Sequence, residues 1–317
     1  MALTLVEAAK LSNDVLLEGV VEEIIYDSPI LQSLPFIEIV GDGLRYNREL
    51  TLGSIDFYDV GDTWTESTPT FTPVTANLVI MGGDADVDEF LKRTRSNIQD
   101  LEAAVIQQKA KALRHKWEQT FIYGNQTTSP KEFDGLRKII DTFTLAGITG
   151  RQVVQMGTAG GGVALSFLKL DELIDKVKGG KPSALIMSKR SRRIIQSKTR
   201  AAGWNLEQDK TALGTFITRY NGIPLWETDW ILDTHVTTGS GAGQYESATT
   251  TGDESVIFAV RLGEGALSGL TSPGHIQVQP IGSLETKDAT RVRIKFYPGL
   301  AVFSTLSVAA LIGVDAT

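Results

Sequence analysis

Residues 44 to 123 constrain the fold of this chain most strongly, because a two-stranded arm runs there directly into one long helix. Apolar and polar side chains alternate from Leu44 to Leu52, and a similar alternation returns from Phe71 to Ile80. A period of two indicates strands with one covered face and one wet face. We therefore predict an extended β-hairpin over residues 44–81.

The broad tip of this hairpin, Gly53 to Pro69, carries the aromatic residues Phe57, Tyr58 and Trp64. A two-stranded ribbon is only marginally stable alone in water, so a ribbon with an aromatic tip needs a surface to lie on. Little apolar sequence precedes the arm, and we expect that surface to belong to another subunit. The three aromatic side chains are the expected contacts.

A long helix is predicted immediately after the arm. Asp88 suits the N-cap position, and Glu89 in the first turn suits the helix dipole. No Pro or Gly interrupts the chain from Asp88 to Tyr123, and Gly124 then supplies a stop. At 1.5 Å per residue the helix would be about 50 Å long, several times the mean for globular helices.

The rest of the chain predicts a mixture of helices, strands and long loops, which is typical of the α+β class. An extended connector is expected over 31–40, and the Asn221-Gly222 pair predicts a tight hairpin turn. Helices are expected at about 13–26, 168–178 and 188–200, the last capped by Ser188. Strands are expected at 184–187, 215–220, 223–227, 256–260, 276–280, 291–297 and 301–308.

Four stretches of sequence carry a family resemblance: LPFIEIVGDGLRYNREL at 34–50, FYDVGDTWTESTPTF at 57–71, YNGIPLWETDWI at 220–231 and KFYPGLAVFSTLSVAAL at 295–311. Together with the order of arm, loop, long helix and α/β region, they resemble the major capsid protein of tailed bacteriophages, which has the Hong Kong 97-like fold. The resemblance covers nearly the whole chain and includes no catalytic signature.

This resemblance implies a division of the chain. Its parts are an N-terminal helical arm (1–43), an extended β-hairpin loop (44–81), a peripheral domain (82–140) with the spine helix (88–123), an axial domain (141–275) and return strands that complete the peripheral domain (276–317). The implied function is self-assembly into the hexamers and pentamers of an icosahedral phage head that encloses double-stranded DNA. The protein would be a structural virion component, not an enzyme, assembled in the host cytoplasm.

The partners implied by the resemblance are other copies of the chain and a portal. The helical arm begins almost at Met1, so we expect a separate scaffolding protein. Some family members cross-link subunits through a loop Lys, but residues 44–81 contain no Lys and we expect no such bond. Stability must then come from burial, ion pairs or an added cementing protein.

Two alternatives remain open. An encapsulin, a cellular shell of the same fold that holds cargo enzymes, is the alternative within the class. An α+β enzyme or ligand-binding domain that uses the Gly-rich segment 157–162 is the alternative outside it.

Charge is distributed unevenly between the loop and the long helix. Residues 51–90 contain acids but no bases, whereas residues 92–118 contain seven bases against three acids. In the resembled fold the loop of one subunit lies over its neighbour, which would make the two surfaces complementary. The acidic side would be Asp59, Asp62 and Glu66, and the basic side Arg93, Arg95, Lys109 and Arg114. The alternative is two solvated faces.

A dense basic cluster begins with Lys189, Arg190, Arg192 and Arg193 and ends at Arg200. It would contact DNA phosphates or acidic patches of a neighbouring capsomer, or it is a solvated helix face. The net charge of −7 argues against a general nucleic-acid binder. We therefore expect DNA to be enclosed without sequence-specific binding.

No catalytic, cofactor or metal site is predicted. Asp84, Asp86 and Asp88 imitate the start of a calcium loop but lack its later Gly and Glu, so a strand end followed by a helix cap explains them better. The chain has no Cys, which excludes disulfides and thiolate sites. No signal peptide or membrane span is apparent, and we expect a soluble protein without membrane partners.

Overall fold

A computed structural model describes residues 29–51, 53–95, 101–145, 152–156, 162–203, 206–210, 216–235 and 253–315. The predicted N-terminal helices and most of the Gly-rich segment 157–162 lie outside these residues. The helices are α1 (Pro29–Ser33), α2 (Glu89–Arg95), α3 (Leu101–Tyr123), α4 (Leu136–Leu145), α5 (Phe167–Lys176) and α6 (Lys189–Ala201). Together with the strands they form a mixed α+β fold, as predicted.

Within these described residues, the strands form four sheets. They are β1 (Phe36–Glu38), β2 (Gly43–Thr51), β3 (Thr70–Asn77), β4 (Met81–Asp88), β5 (Val153–Gln155), β6 (Ala184–Met187), β7 (Glu207–Lys210), β8 (Phe216–Tyr220), β9 (Ile223–Glu227), β10 (Glu254–Val260), β11 (Leu267–Thr271), β12 (Gln277–Ser283), β13 (Ala289–Phe296), β14 (Pro298–Val302) and β15 (Val308–Asp315).

The main core surrounds a seven-stranded sheet with the order β5-β15-β10-β6-β9-β8-β7. Strands β6, β10 and β15 have nearly continuous apolar sequences because both faces of the sheet are covered. On one face Phe258 packs in a cluster with Trp117 and Phe121 of α3. On the other face Ile257 packs in a cluster with Leu173 of α5. The sheet is therefore the middle of three layers.

The two ends of the predicted long helix are confirmed. The Asp88 carboxylate accepts hydrogen bonds from the N–H groups of Phe90 and Leu91, at 2.9 and 3.3 Å, as an N-cap does. Helix α3 ends at Tyr123, and a side chain at Gly124 would collide with the carbonyl oxygen of Phe133. Residues 96–100, between α2 and α3, lie outside the described residues.

A three-stranded sheet with the order β12-β13-β4 explains the closely spaced aspartates. Arg291 donates to both carboxylate oxygens of Asp86, at 2.6 and 2.7 Å. Arg293 pairs in the same way with Asp84, at 2.6 and 2.9 Å. Hydrogen bonds from these guanidinium groups hold the pKa of each carboxyl below its usual value. The aspartates are thus cross-strand ion-pair partners and a helix cap.

Two local predictions are wrong. Residues 31–33 belong to helix α1 and not to an extended connector, because Pro29 is well placed at the first helical position. Residues 301–308 do not form one strand, because a 3₁₀ turn at Thr305–Ser307 separates β14 from β15. The Ser304 hydroxyl accepts from the Leu306 N–H and so caps this turn.

The C-terminal strands belong to different sheets. Strand β13 pairs with β12 on one side and with β4 on the other. Strand β15 pairs with β10 and β5 in the seven-stranded sheet. The boundaries of the peripheral and axial domains stay a prediction.

Candidate assembly interface

The arm is an antiparallel ribbon of β2 and β3, paired from Gly43 opposite Asn77 to Thr51 opposite Thr70. Its side chains alternate as the sequence predicts: Leu44 and Tyr46 are half-buried, whereas Arg45 and Asn47 are exposed. The ribbon thus has one face on the body of the molecule and one in solvent.

The root of the arm is anchored on its own subunit. The Tyr46 hydroxyl donates to the carbonyl oxygen of Val302 at 2.9 Å, and its ring lies 4.8 Å from that of Phe303. Arg48 Nε donates to the Phe303 carbonyl at 3.2 Å. Burial of Tyr46 raises the pKa of its hydroxyl. The expectation that another subunit supplies the surface therefore does not hold for the root.

The tip of the arm is bare. Relative to a free residue, Ile55 is 96% exposed, Phe57 106%, Val60 105% and Trp64 79%. The side chains of Ile55, Phe57 and Val60 therefore contact almost nothing in their own subunit. A group of large exposed apolar side chains marks a surface that binds something.

The tip is nevertheless internally ordered. The rings of Tyr58 and Trp64 stack with centroids 4.5 Å apart, and the Tyr58 hydroxyl lies 2.8 Å from Thr65 Oγ1. The Asp59 N–H donates to the Asp62 carboxylate at 2.7 Å. Tyr58 and Asp62 therefore help to shape the tip. A loop that is already ordered loses less conformational entropy when it binds.

The predicted basic side of the helix is partly neutralised within its own subunit. Arg114 is only 9% exposed, and its Nε lies 3.1 Å from the Glu118 carboxylate. Arg93 is exposed, with its Nε 4.0 Å from Glu89. Lys109 is exposed, whereas the side chain of Arg95 lies outside the described residues. Arg93 and Lys109 are thus the accessible members of the predicted set.

The basic cluster lies on helix α6. The Ser188 hydroxyl accepts from the Ser191 N–H, which confirms the predicted cap. Lys189 lies 2.7 Å from Asp229 and Arg192 lies 2.9 Å from Glu227, so two of the bases are neutralised at the end of β9. Sequence reasoning missed both partners because they are distant along the chain. Arg193 stays exposed, and Arg190 is half-buried.

Other kinds of site find no support within the described part of the chain. It contains no group of three or more acidic or His side chains placed to hold a metal ion. None of its helices is both long and apolar enough to cross a membrane. The Gly-rich segment proposed for an enzyme alternative falls mostly outside that part.

Comparison with known proteins relates this architecture to protein shells. No family model and no curated protein matches the sequence. The SrpI encapsulin of Synechococcus elongatus PCC 7942 aligns with a TM-score of 0.68 and 18% identity, over 100% of this chain and 98% of that one. The capsid of an empty GTA particle aligns with a TM-score of 0.63 and 14% identity, over 94% and 92%.

A chain of Microbacterium phage Oxtober96 aligns with a TM-score of 0.62 and 12% identity, over 99% of both chains. The chain thus has the fold of shell-forming structural proteins. That fold is the Hong Kong 97-like one, and the resemblance predicted from the sequence is confirmed at this level. The capsid and encapsulin neighbours are structural proteins and not enzymes.

Proposed function

We propose that this protein is the major capsid subunit of a phage-type head, which assembles into hexamers and pentamers around double-stranded DNA. The observation that carries the proposal is the ordered, bare tip of the arm, in which Phe57 is 106% exposed. A soluble monomer has no evident use for such a surface, whereas a shell covers it with a neighbouring subunit.

The geometry of the arm favours ring-shaped assemblies. A contact between the tip of one subunit and the body of the next joins two different surfaces and is therefore heterologous. Heterologous contacts produce rings when the rotation closes. Hexamers and pentamers are rings of this kind.

In this proposal, charge helps to determine how adjacent subunits align with each other. Asp59 and Glu66 of the tip would face bases of the adjacent subunit, of which Arg93 and Lys109 are accessible. Such complementarity sets orientation and partner choice more than affinity. A portal, a scaffolding protein and a cementing protein are the further partners proposed for the virion.

The first test is negative-stain electron microscopy of the purified protein together with sedimentation velocity. We expect closed shells or rings, and we expect a variant with residues 53–69 replaced by a short Gly-Ser turn to remain monomeric. The matched control keeps the loop length and replaces 53–69 by a Gly-Ser segment, which separates loss of contacts from strain in the ribbon. A wild-type monomer whose behaviour is unchanged by either replacement would contradict the proposal.

An encapsulin-type shell is the second candidate, because the alignment with the SrpI encapsulin covers the entire chain. The two candidates differ in contents. Shells purified from cells after nuclease treatment would release protected double-stranded DNA if they are phage heads, and a second protein if they are encapsulins. The enzyme alternative gains no support from these neighbours.

A further inference from the structure

A cavity of about 300 Å³ lies beneath the root of the arm. Its walls are Val74 and Ala76 of β3, Ile139 and Phe143 of α4, and Val302 of β14. Most of the lining is apolar, and the volume is within the range of pockets that bind ligands. Thr142 of α4 also lines the cavity, and its side chain is exposed.

Two charged side chains also line the cavity. The Asp134 carboxylate accepts a hydrogen bond from the Gln126 N–H at 2.8 Å. The Arg48 guanidinium lies 5.0 Å from the centroid of the Phe143 ring and bonds to the carbonyl oxygens of Val302 and Phe303. Carbonyl oxygens satisfy N–H groups but do not neutralise the charge. Among the described residues, no carboxylate forms an ion pair with Arg48. A half-buried cation beside an apolar wall favours a partner with both an apolar group and an anion.

The tip of the arm has the complementary chemistry. Along residues 55–60, the apolar side chains of Ile55, Phe57 and Val60 are separated by the carboxylates of Asp56 and Asp59. The three apolar residues are between 96% and 106% exposed, which excludes contact with the cavity of their own subunit. A tip that fills this cavity must therefore come from another copy.

We propose that residues 55–60 of one subunit insert into the cavity beneath the arm root of a second subunit. An apolar side chain, with Phe57 the largest candidate, fills the cavity, and the carboxylate of Asp56 faces Arg48. This assignment rests on the proposed function and names the receptor that the tip occupies. A buried Phe removes about 150–250 Å² from water, enough for a central anchor of an interface.

The contact joins two different surfaces, the tip of one copy and the cavity of the next, so it can repeat from copy to copy. If every copy makes this contact with the next, the copies form a ring, which closes when the last tip enters the first cavity. Each arm root would then be held by the contacts of Tyr46 and Arg48 in its own subunit and by the inserted tip of a neighbour.

Cysteine cross-linking tests the contact directly, because the chain contains no native Cys. Two differently tagged variants, Val60→Cys and Thr142→Cys, are co-expressed so that Phe57 is kept, and the assemblies are oxidised. The matched control replaces Thr142→Cys by Ser197→Cys, at an exposed position on α6. We expect a disulfide-linked heterodimer from the first pair and none from the control pair.

A complementary variant tests the energetic role of the anchor. Phe57→Ala should raise the subunit concentration needed for assembly about tenfold or more, whereas Leu168→Ala, 76% exposed on α5, should leave it unchanged. Both side chains are exposed in the subunit, so neither change removes a core contact.

The outcomes separate this inference from the proposed function. Shells or rings that form without the cross-link between positions 60 and 142, or with an equally strong control cross-link, would overturn the tip-to-cavity assignment and leave the shell function intact. Failure of the wild type to assemble at any concentration, with no cross-link in either pair, would overturn both.

Discussion

At the scale of single residues, His235 shows how burial ties one titratable group to stability. Its Nε2 lies 2.7 Å from the hydroxyl oxygen of Tyr123, at the end of α3, and the residue is 1% exposed. Burial is the main cause that lowers its pKa to about 4. The imidazole is therefore neutral in the folded protein at pH values where it is already protonated in the unfolded chain.

This linkage predicts a loss of stability in weak acid. The unfolded chain binds the extra proton below a pH of about 6.5, so the free energy of unfolding should fall by about 2–3 kcal/mol between pH 7 and pH 4 through this group alone. Urea unfolding of the wild type and of His235→Gln at both pH values measures it. The variant should lose less stability than the wild type over this range, and equal losses would contradict the assignment.

At the scale of elements, the pairing of β4 with β13 depends on charge as well as on backbone hydrogen bonds. The Asp86 side chain is 6% exposed and carries two hydrogen bonds from Arg291. Because the pKa of Asp86 is lowered in the fold, its stabilising effect is present above the unfolded value of about 3.9 and is lost as pH falls through the folded value.

Asp86→Asn should therefore destabilise the protein by about 1–2 kcal/mol at neutral pH, after allowance for screening at this sheet surface. Urea unfolding at pH 7 and at about pH 3 measures the change, and the difference from the wild type should shrink at the lower pH. Asp288→Asn removes a charge at an exposed position near the same strands and is the matched control. The prediction is wrong if both variants lose equal stability.

The sequence predicted the elements whose signals are local. The caps at Asp88 and Ser188 lie next to the helices that they begin, and the turn at Asn221-Gly222 uses positive φ values of 51° and 77° that these residues tolerate. Strand β4 was predicted only as a strand end, because its glycines and aspartates are poor strand formers. The ion pair of Asp84 with Arg293 was not predicted, because the two residues are 209 positions apart. Local sequence patterns cannot predict pairs of residues that are so far apart along the chain.

The candidate interface could be predicted only where its signal is local in the sequence. The exposed aromatic tip follows from a ribbon too thin to bury its own side chains. The burial of Arg114 depends on how α3 packs against its neighbours, β4 and α4 among them, which its place in a run of charges does not reveal. The cavity beneath the arm root joins β3, α4 and β14, three elements that only the fold brings together.

At the scale of the whole molecule, assembly must overcome repulsion between subunits that each carry a net charge of −7. Salt acts on this balance in two directions. It screens the general repulsion and so favours assembly, and it also weakens any attraction between the acidic tip and basic groups of a neighbour. The two effects of salt can be separated only by comparing variants that have the same net charge.

A pair of matched double variants provides this comparison. Asp59→Asn with Glu66→Gln removes two tip acids, and Glu264→Gln with Glu285→Gln removes two exposed acids elsewhere. If the tip acids face bases of a neighbour, the tip variant should need a higher subunit concentration for assembly than the control at low salt. The gap should narrow as NaCl rises above about 0.15 M, where the Debye length falls below 8 Å. Light scattering against subunit concentration measures assembly of both variants. Identical curves at low salt would mean that apolar burial, and not charge, stabilises the contact of the tip.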